Sequence, residues 1–198
     1  LFAALLHDAG KPKTVGFDKA KNRVTFYGHQ IVSKRIARRW MELYRISCVG
    51  VDTEKVLTLI ENHMFETKAF YSDRAIRRFI NKVGPDNIFD LIDLRIADKK
   101  GGRYPESMRG ILNLRSRIRE EIEKKPPFTP KDLALNGHDI MNLGFKPGPI
   151  IGSIQKHLVE VVLDEPELNT KESLEKIVRE NFSSHEEEKE KITNARKE

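Results

Sequence analysis

The sequence predicts an all-α protein: a helical bundle over residues 1–104, a smaller helical unit over 105–182 and a polar tail over 183–198. Three observations carry this expectation. Apolar residues recur at three- and four-residue intervals in nearly every segment, the period of a helix with one buried face. Glycine and proline fall mainly between those segments rather than within them. A strand-like pattern is confined to one short stretch, Val24–Tyr27.

The opening LFAALLHD reads as the later turns of an apolar helix, and Ala9-Gly10 lets the backbone change direction after it. The polar stretch 11–28 follows, in which VTFY forms a short strand or hairpin arm placed to act as a lid beside His7. Over residues 29–46, Ile31, Ile36, Trp40, Leu43 and Ile46 approach helical spacing, with Lys34, Arg35, Arg38 and Arg39 largely opposite. Asp52-Thr53 caps the helix EKVLTLIENHM, because a short polar side chain satisfies amides left free in a first turn. Ser72-Asp73 does the same for RAIRRFINKV, which Gly84-Pro85 ends. DNIFDLIDLRIADKK stops at Gly101-Gly102. The next helix, opened by Pro105, closes before Pro126-Pro127. Three prolines in KKPPFTPKDL mark a joint. Residues 136–166 and 170–181 supply two or three more helices. The end, SSHEEEKEKITNARKE, is charged throughout and reads as a solvated helix extension or a frayed end.

With 33% charged and 38% hydrophobic residues among 198, the composition is that of a water-soluble chain with a substantial core. No apolar run approaches the roughly 18 residues that span a bilayer. A single cysteine, Cys48, excludes an internal disulfide and fits a reducing, cytoplasmic compartment. Leu1 is not a start methionine and neither a basic leader nor a cleavage site follows, so the chain reads as part of a longer protein. Residues 1–125 hold 26 Lys/Arg against 16 Asp/Glu, whereas 126–198 hold 10 against 14. A basic body with an acidic end suits a polyanionic partner.

Chemistry concentrates in four short pieces. They are His7-Asp8 in LFAALLHDAGKP, His29 in FYGH, His63 in LIENHM and Asp98 in RIADKKGG, each at or near the end of an apolar run. Imidazole and carboxylate donors suit Mg²⁺, Mn²⁺, Ni²⁺ or Fe, and helix bundles build metal sites from facing helices. Neighbours on a regular helix point about 100° apart, so His7 and Asp8 share a target only where the helix ends. Singly, each residue has an ordinary reading: a hydrogen-bonded core pair, a helix cap for His29, a half-buried core His63, an Asp98 paired with Lys99 or Arg95. Together, two carboxylates and three imidazoles in one interior cost several kcal/mol without a compensating cation. His7, Asp8 and Asp98 are the leading ligands and His29 and His63 the supporting ones. Lys11 is placed to hold a phosphate oxygen, or is an exposed lysine.

In this order, HDAGKP…FYGH…NH…AD resembles the HD superfamily of metal-dependent phosphohydrolases, in the form carried by bacterial tRNA nucleotidyltransferases and poly(A) polymerases, the CCA-adding enzymes. Residues 135–178 are similar to the C-terminal portion of the same proteins. The resemblance implies hydrolysis of 2′,3′-cyclic phosphates, 2′-nucleotides or related phosphomonoesters with a divalent ion, alongside tRNA binding. On this reading residues 1–104 are the HD domain, with His7, Asp8, Lys11 and Asp98 catalytic, and water made acidic by the ion attacks phosphorus. The family's first histidine lies on a helix before the HD pair and is not in this sequence. No Gly-Ser start followed by paired aspartates on a strand is present, so nucleotide addition is not expected of these residues alone.

Basic residues recur on successive helices, and phosphate neutralisation dominates nucleic-acid affinity. Arg35, Arg38, Arg39, Arg77, Arg78, Lys99, Lys100 and Arg103 are the expected RNA contacts. Gly148, in MNLGFKPGPIIGSI, joins them as part of a turn leading into a helix whose free amides bind phosphate, in the manner of a helix-hairpin-helix element, or else serves close helix packing. Three functions follow: a phosphohydrolase of RNA ends or nucleotides, a non-catalytic tRNA-binding body, or a hydrolase of a signalling nucleotide. The basic surface disfavours the third.

Overall fold

The computed structural model describes residues 1–67, 71–102, 108–124 and 126–182. Among these, helices dominate and the all-α expectation holds: α1 (Phe2–Leu6), α2 (His29–Leu43), α3 (Thr53–Asn62), α4 (Asp73–Val83), α5 (Ile88–Gly101), α6 (Arg109–Glu123), α7 (Gly137–Asn142), α8 (Pro149–Asp164) and α9 (Lys171–Asn181). The VTFY stretch supplies part of a small antiparallel hairpin, β1 (Gly16–Asp18) and β2 (Arg23–Thr25), with Gly16 opposite Thr25. No helix among the described residues is long and apolar enough to cross a membrane. Pro105, Arg103 and the 183–198 tail lie outside the described residues.

The helix limits follow the local chemistry. Asp52 accepts a hydrogen bond from the Lys55 amide at 2.9 Å and opens α3. The Ser72 hydroxyl accepts from the Ala75 amide at the start of α4. Gly84 in a left-handed conformation follows the end of α4, and Gly102 ends α5.

The chain clusters into two compact units, one of Leu1–Phe70 with Lys82–Arg117, the other of Tyr71–Asn81 with Ile118–Glu198. In the first, α2 packs along α3, and α1 lies against α2, α3 and α5. Leu57, Ile60, Ile88, Leu91 and Ile92 form the centre of its core. In the second, α8 is the axis against which α7 and α9 pack, with Ile154, Leu158 and Val162 fully buried.

Helix α2 does not bury the stripe its large apolar residues suggest. Ile31 and Leu43 are exposed, and the buried positions are His29, Ser33, Ala37 and Met41. The reason is space. Ser33 accepts a hydrogen bond from the Gly10 amide at 2.8 Å, and Ala37 has no accessible surface. Small side chains let the loop after α1 and helix α3 come close enough for His29 to enter the interior.

The second unit is tied by a buried ion pair. Arg77, only 9% exposed, donates to the carbonyls of Leu163 at 2.6 Å and Asp164 at 3.0 Å, and to Glu121 at 3.1 Å. It thereby caps the C-terminal carbonyls of α8, which have no partner within the helix.

Candidate metal centre

The site forms where α1 ends. The His7 amide still reaches back four residues to Ala3, whereas the Ala9 and Lys11 amides reach back three, to Leu6 and Asp8. This tightening turns Asp8 inward beside His7, the reorientation the sequence required. Gly10 completes the loop. A Cβ there would stand 2.4 Å from the His29 carbonyl oxygen and 2.7 Å from the Ser33 amide nitrogen. Only glycine permits that approach. His29 is the first residue of α2 after Gly28, whose left-handed φ of 76° redirects the chain from the hairpin. His63 follows directly from α3, and Asp98 lies in the last turns of α5.

The three imidazoles share one pattern. His7 Nδ1 donates to the Ala4 carbonyl at 2.8 Å, His29 Nδ1 to Phe26 at 2.8 Å, and His63 Nδ1 to Ile60 at 2.7 Å. A carbonyl oxygen only accepts, so each Nδ1 carries the proton and each neutral ring offers a bare Nε2. The Nε2 atoms converge. His29 and His63 Nε2 are 3.1 Å apart, and Asp8 Oδ1 is 3.3 Å from the first and 3.9 Å from the second. His7 Nε2 lies 3.4 Å from Asp8 Oδ2 and 3.5 Å from Asp98 Oδ1. Lone pairs thus face lone pairs, and His7 Nε2 is buried without a hydrogen-bond partner.

Such an arrangement needs positive charge at its centre, either protons or a cation. Burial pushes the His63 pKa down, the Ile60 carbonyl opposes this, and the neighbouring His7 and His29 push it further down. His63 therefore resists protonation, and a cation is the better fit. One donor atom from each of His7, Asp8 and His63 lies within 4.8 Å of the others, a spacing that suits a single ion. Burial raises the Asp8 pKa, but the hydrogen bond from Lys11 outweighs it together with the charge of Lys11 and that of His7 and His29 in their protonated forms, leaving the carboxyl below its ordinary value. Lys11 Nζ sits 2.5 Å from Asp8 Oδ2. Arg95 donates to Asp98 Oδ2 at 2.7 Å and so leaves Oδ1 turned toward His7. Ring N–H groups on carbonyls and hydrogen-bonded carboxylates are how metal ligands are usually oriented.

A cavity of about 430 Å³ opens beside this cluster, lined by Asp8, Lys11, His29, His63 and Asp98. It also takes in Tyr27, from the stretch expected to act as a lid, and Arg95, one of the two expected partners of Asp98, together with Arg23, Gln30 and Met64, which sequence patterning did not single out. The only signal for Gln30 and Met64 was nearness in sequence to His29 and His63.

The expected RNA contacts divide. Arg35, Arg38 and Arg39 line a cavity of about 610 Å³ on α2, where Arg38 also makes a fork-like pair with Glu54. Arg78 pairs with Glu160 and Asp164. Lys100 is exposed near the end of α5, Lys99 is partly covered, and Gly148 is exposed just before α8. Arg77 differs: its guanidinium is buried and satisfied inside its own unit, so it has no charge to present to RNA.

Comparison with known proteins shows the family. A family model of the HD domain matches residues 1–100. The chain belongs to the HD domain family. The match takes in every ligand candidate, His7 and Asp8 among them. A second model, tRNA nucleotidyltransferase domain 2, matches residues 106–178. The HD chain is similar to an A-adding tRNA nucleotidyltransferase of Deinococcus radiodurans, 30% identical over 164 residues, covering 80% of this chain and 36% of that protein. It is also similar to a CC-adding tRNA nucleotidyltransferase of Thermus thermophilus, 35% identical over 159 residues, covering 80% of this chain and 34% of that protein. The chain thus spans about a third of the length of these curated relatives. No solved structure matches it.

Proposed function

We propose that this chain is a divalent-metal-dependent phosphohydrolase acting on RNA ends or nucleotides, of the 2′,3′-cyclic phosphodiesterase or phosphatase type, and that it binds tRNA in the cytoplasm. Residues 1–104 carry the hydrolase and 105–182 the RNA-binding region. The observation that supports this best is the set of three imidazoles with Nδ1 committed to carbonyls and Nε2 turned on Asp8.

His7, Asp8, His29, His63 and Asp98 would hold the ion. When bound, it supplies Lewis acidity beside a phosphate and makes a nearby water more acidic. The rest is the work of the chain itself. Asp8 stays ionised because the hydrogen bond and the charge of Lys11 hold its proton affinity down. His63 stays neutral because it is buried. Lys11, 5.7 Å from the Phe26 ring centroid and paired with Asp8, offers a point charge to a phosphate oxygen at the cavity mouth. Arg95 fixes the orientation of Asp98.

A second reading rests on the basic α2 cavity and on the similarity to tRNA nucleotidyltransferases: a non-catalytic body that holds tRNA. Hydrolysis of 2′,3′-cyclic AMP separates the two. The chain is expected to turn it over with Mn²⁺ or Ni²⁺ and not in chelator. It should retain about one divalent ion by elemental analysis, which Asp8→Ala loses. Absence of both turnover and bound ion would favour the binding body.

A further inference from the structure

We infer that Lys11 is an internal cation that competes with the divalent ion for Asp8, and thereby sets how tightly the cluster holds that ion. This rests on the metal reading given above, and it assigns Lys11 a role separate from any contact with phosphate.

The two oxygens of Asp8 face different neighbours. Oδ1 is turned to His29 and His63, 3.3 and 3.9 Å from their Nε2 atoms. Oδ2 is shared: His7 Nε2 lies 3.4 Å from it and Lys11 Nζ 2.5 Å. Divalent ions sit about 2.0–2.6 Å from a carboxylate oxygen. An ion held between His7 and Oδ2 therefore comes within about 5 Å of the Lys11 ammonium, in a partly buried setting where salt screens like charges weakly. Asp98 is arranged differently. Arg95 takes Asp98 Oδ2 and leaves Oδ1 turned to His7 Nε2 at 3.5 Å. The cation on Asp98 and His7 thus use different oxygens, whereas Lys11 and His7 use the same oxygen of Asp8.

The backbone holds Lys11 in this place. Its amide donates to the Asp8 carbonyl at 3.0 Å, and Pro12 follows it in the short 3₁₀ turn Lys11–Lys13. The Thr14 hydroxyl closes that turn, 3.2 Å from the Gly10 carbonyl oxygen and 3.3 Å from that of Lys11. A lysine three residues beyond Asp8 on so fixed a turn meets that carboxylate at little cost in freedom. Phe26 supplies an alternative seat. Its ring centroid lies 5.7 Å from Lys11 Nζ, near enough for an aromatic face to attract an ammonium, and both residues line the same cavity. The side chain can leave Oδ2 for that face by rotating its own bonds, with the turn unchanged.

The test is Mn²⁺ titration of the 198-residue chain, free ion being read by its electron spin resonance at fixed pH and low ionic strength. Lys11→Met is expected to bind Mn²⁺ about tenfold or more tightly than the parent, because a unit of like charge has left the ion's surroundings. Lys11→Gln should behave in the same way, and Lys11→Arg, which keeps the charge, should stay near the parent. Lys13→Met makes the same change in net charge two residues away and should leave the affinity at the parental value. A lysine that merely orients Asp8 would give weaker binding in Lys11→Met and Lys11→Gln, and one that acts on phosphate alone would give no change. Either result, or an equal gain in Lys13→Met, would overturn the inference. Tighter binding in Lys11→Met, with 2′,3′-cyclic AMP hydrolysed by neither chain, leaves the competition standing and removes the hydrolase. Hydrolysis by the parent with unchanged Mn²⁺ affinity in Lys11→Met does the reverse.

Discussion

The candidate metal cluster is decided at the scale of single atoms, by which nitrogen of each histidine is already spoken for. Three Nδ1–H groups fixed on the Ala4, Phe26 and Ile60 carbonyls leave three Nε2 lone pairs facing one another and Asp8. The residue types were legible in the sequence, because each stood at the end of an apolar run. The orientation was not: it depends on backbone carbonyls one turn earlier, which carry no sequence signal. Gly10 was legible as a turn, but not its closer role, which is to lack a side chain where a Cβ would stand 2.4 Å from the His29 carbonyl oxygen. This gives a sharp prediction. In Gly10→Ala the new methyl meets the His29 carbonyl and the Ser33 amide, both backbone, so neither can swing aside. Overpacking of this kind costs about 1–3 kcal/mol. Because the strain falls on the first turn of α2, His29 moves relative to Asp8. Urea unfolding should show the destabilisation, and Mn²⁺ titration of the still-folded variant should show weakened binding. Parental stability and parental Mn²⁺ affinity together would mean that the loop and α2 are not held in this register.

At the scale of elements, helix ends were easier to read than helix faces. Asp52, Ser72, Gly84 and Gly102 act where short polar side chains and glycine are expected to act. The face of α2 was misleading because its buried positions are a histidine, a serine and an alanine, chosen for room and chemistry rather than hydrophobicity. Arg77 misled for a similar reason. It sits among surface-like basic residues in sequence, yet its partners Leu163 and Asp164 lie 86 and 87 residues away. Removing one member of a buried pair leaves the other uncompensated, which typically costs about 3–5 kcal/mol. Arg77→Met should therefore destabilise the protein by that order in chemical denaturation. Arg35→Met on the exposed α2 face should have little effect. The short α7 depends on a weaker device. Asp139 accepts from the Asn136 amide at 3.0 Å, and Lys171 of α9 donates to it at 2.7 Å. The Lys171 hydrogen bond, with that from Asn136, holds the Asp139 pKa below its ordinary value. A carboxyl depressed in the folded state contributes fully above its unfolded pKa, about 3.9, and loses that contribution as pH falls through the lower folded value. Asp139→Ala should thus lower the melting temperature at neutral pH, and the gap to the parent should close in strong acid. A gap independent of pH would remove the carboxylate from the account.

For the whole molecule, the fold class was legible because helical periodicity is written in nearly every segment. The clustering of Tyr71–Asn81 with the chain from Ile118 onward was not, since it arises from contacts such as Arg77 with Glu121, 44 residues apart. Charge lies between these cases. An excess of 26 basic over 16 acidic residues in 1–125 can be counted, but only the structure separates the cations spent internally from those left outward. Arg77 is spent, and Arg38 is shared with Glu54. Arg35 and Arg39 remain exposed on the α2 cavity. If that surface carries RNA phosphates, each contact displaces condensed counterions. The affinity for tRNA then falls linearly on logarithmic axes as salt rises, with a slope of about 0.7–0.9 per phosphate neutralised. The Arg35→Gln, Arg39→Gln double variant should keep the parental melting temperature, because both side chains lie in solvent. Its tRNA affinity should drop, and its salt slope should flatten by up to about two phosphate contacts. Fluorescence anisotropy with labelled tRNA at several salt concentrations measures both. An unchanged slope would move the RNA path away from α2, and a salt-independent affinity in the parent would remove RNA as the partner of its basic half.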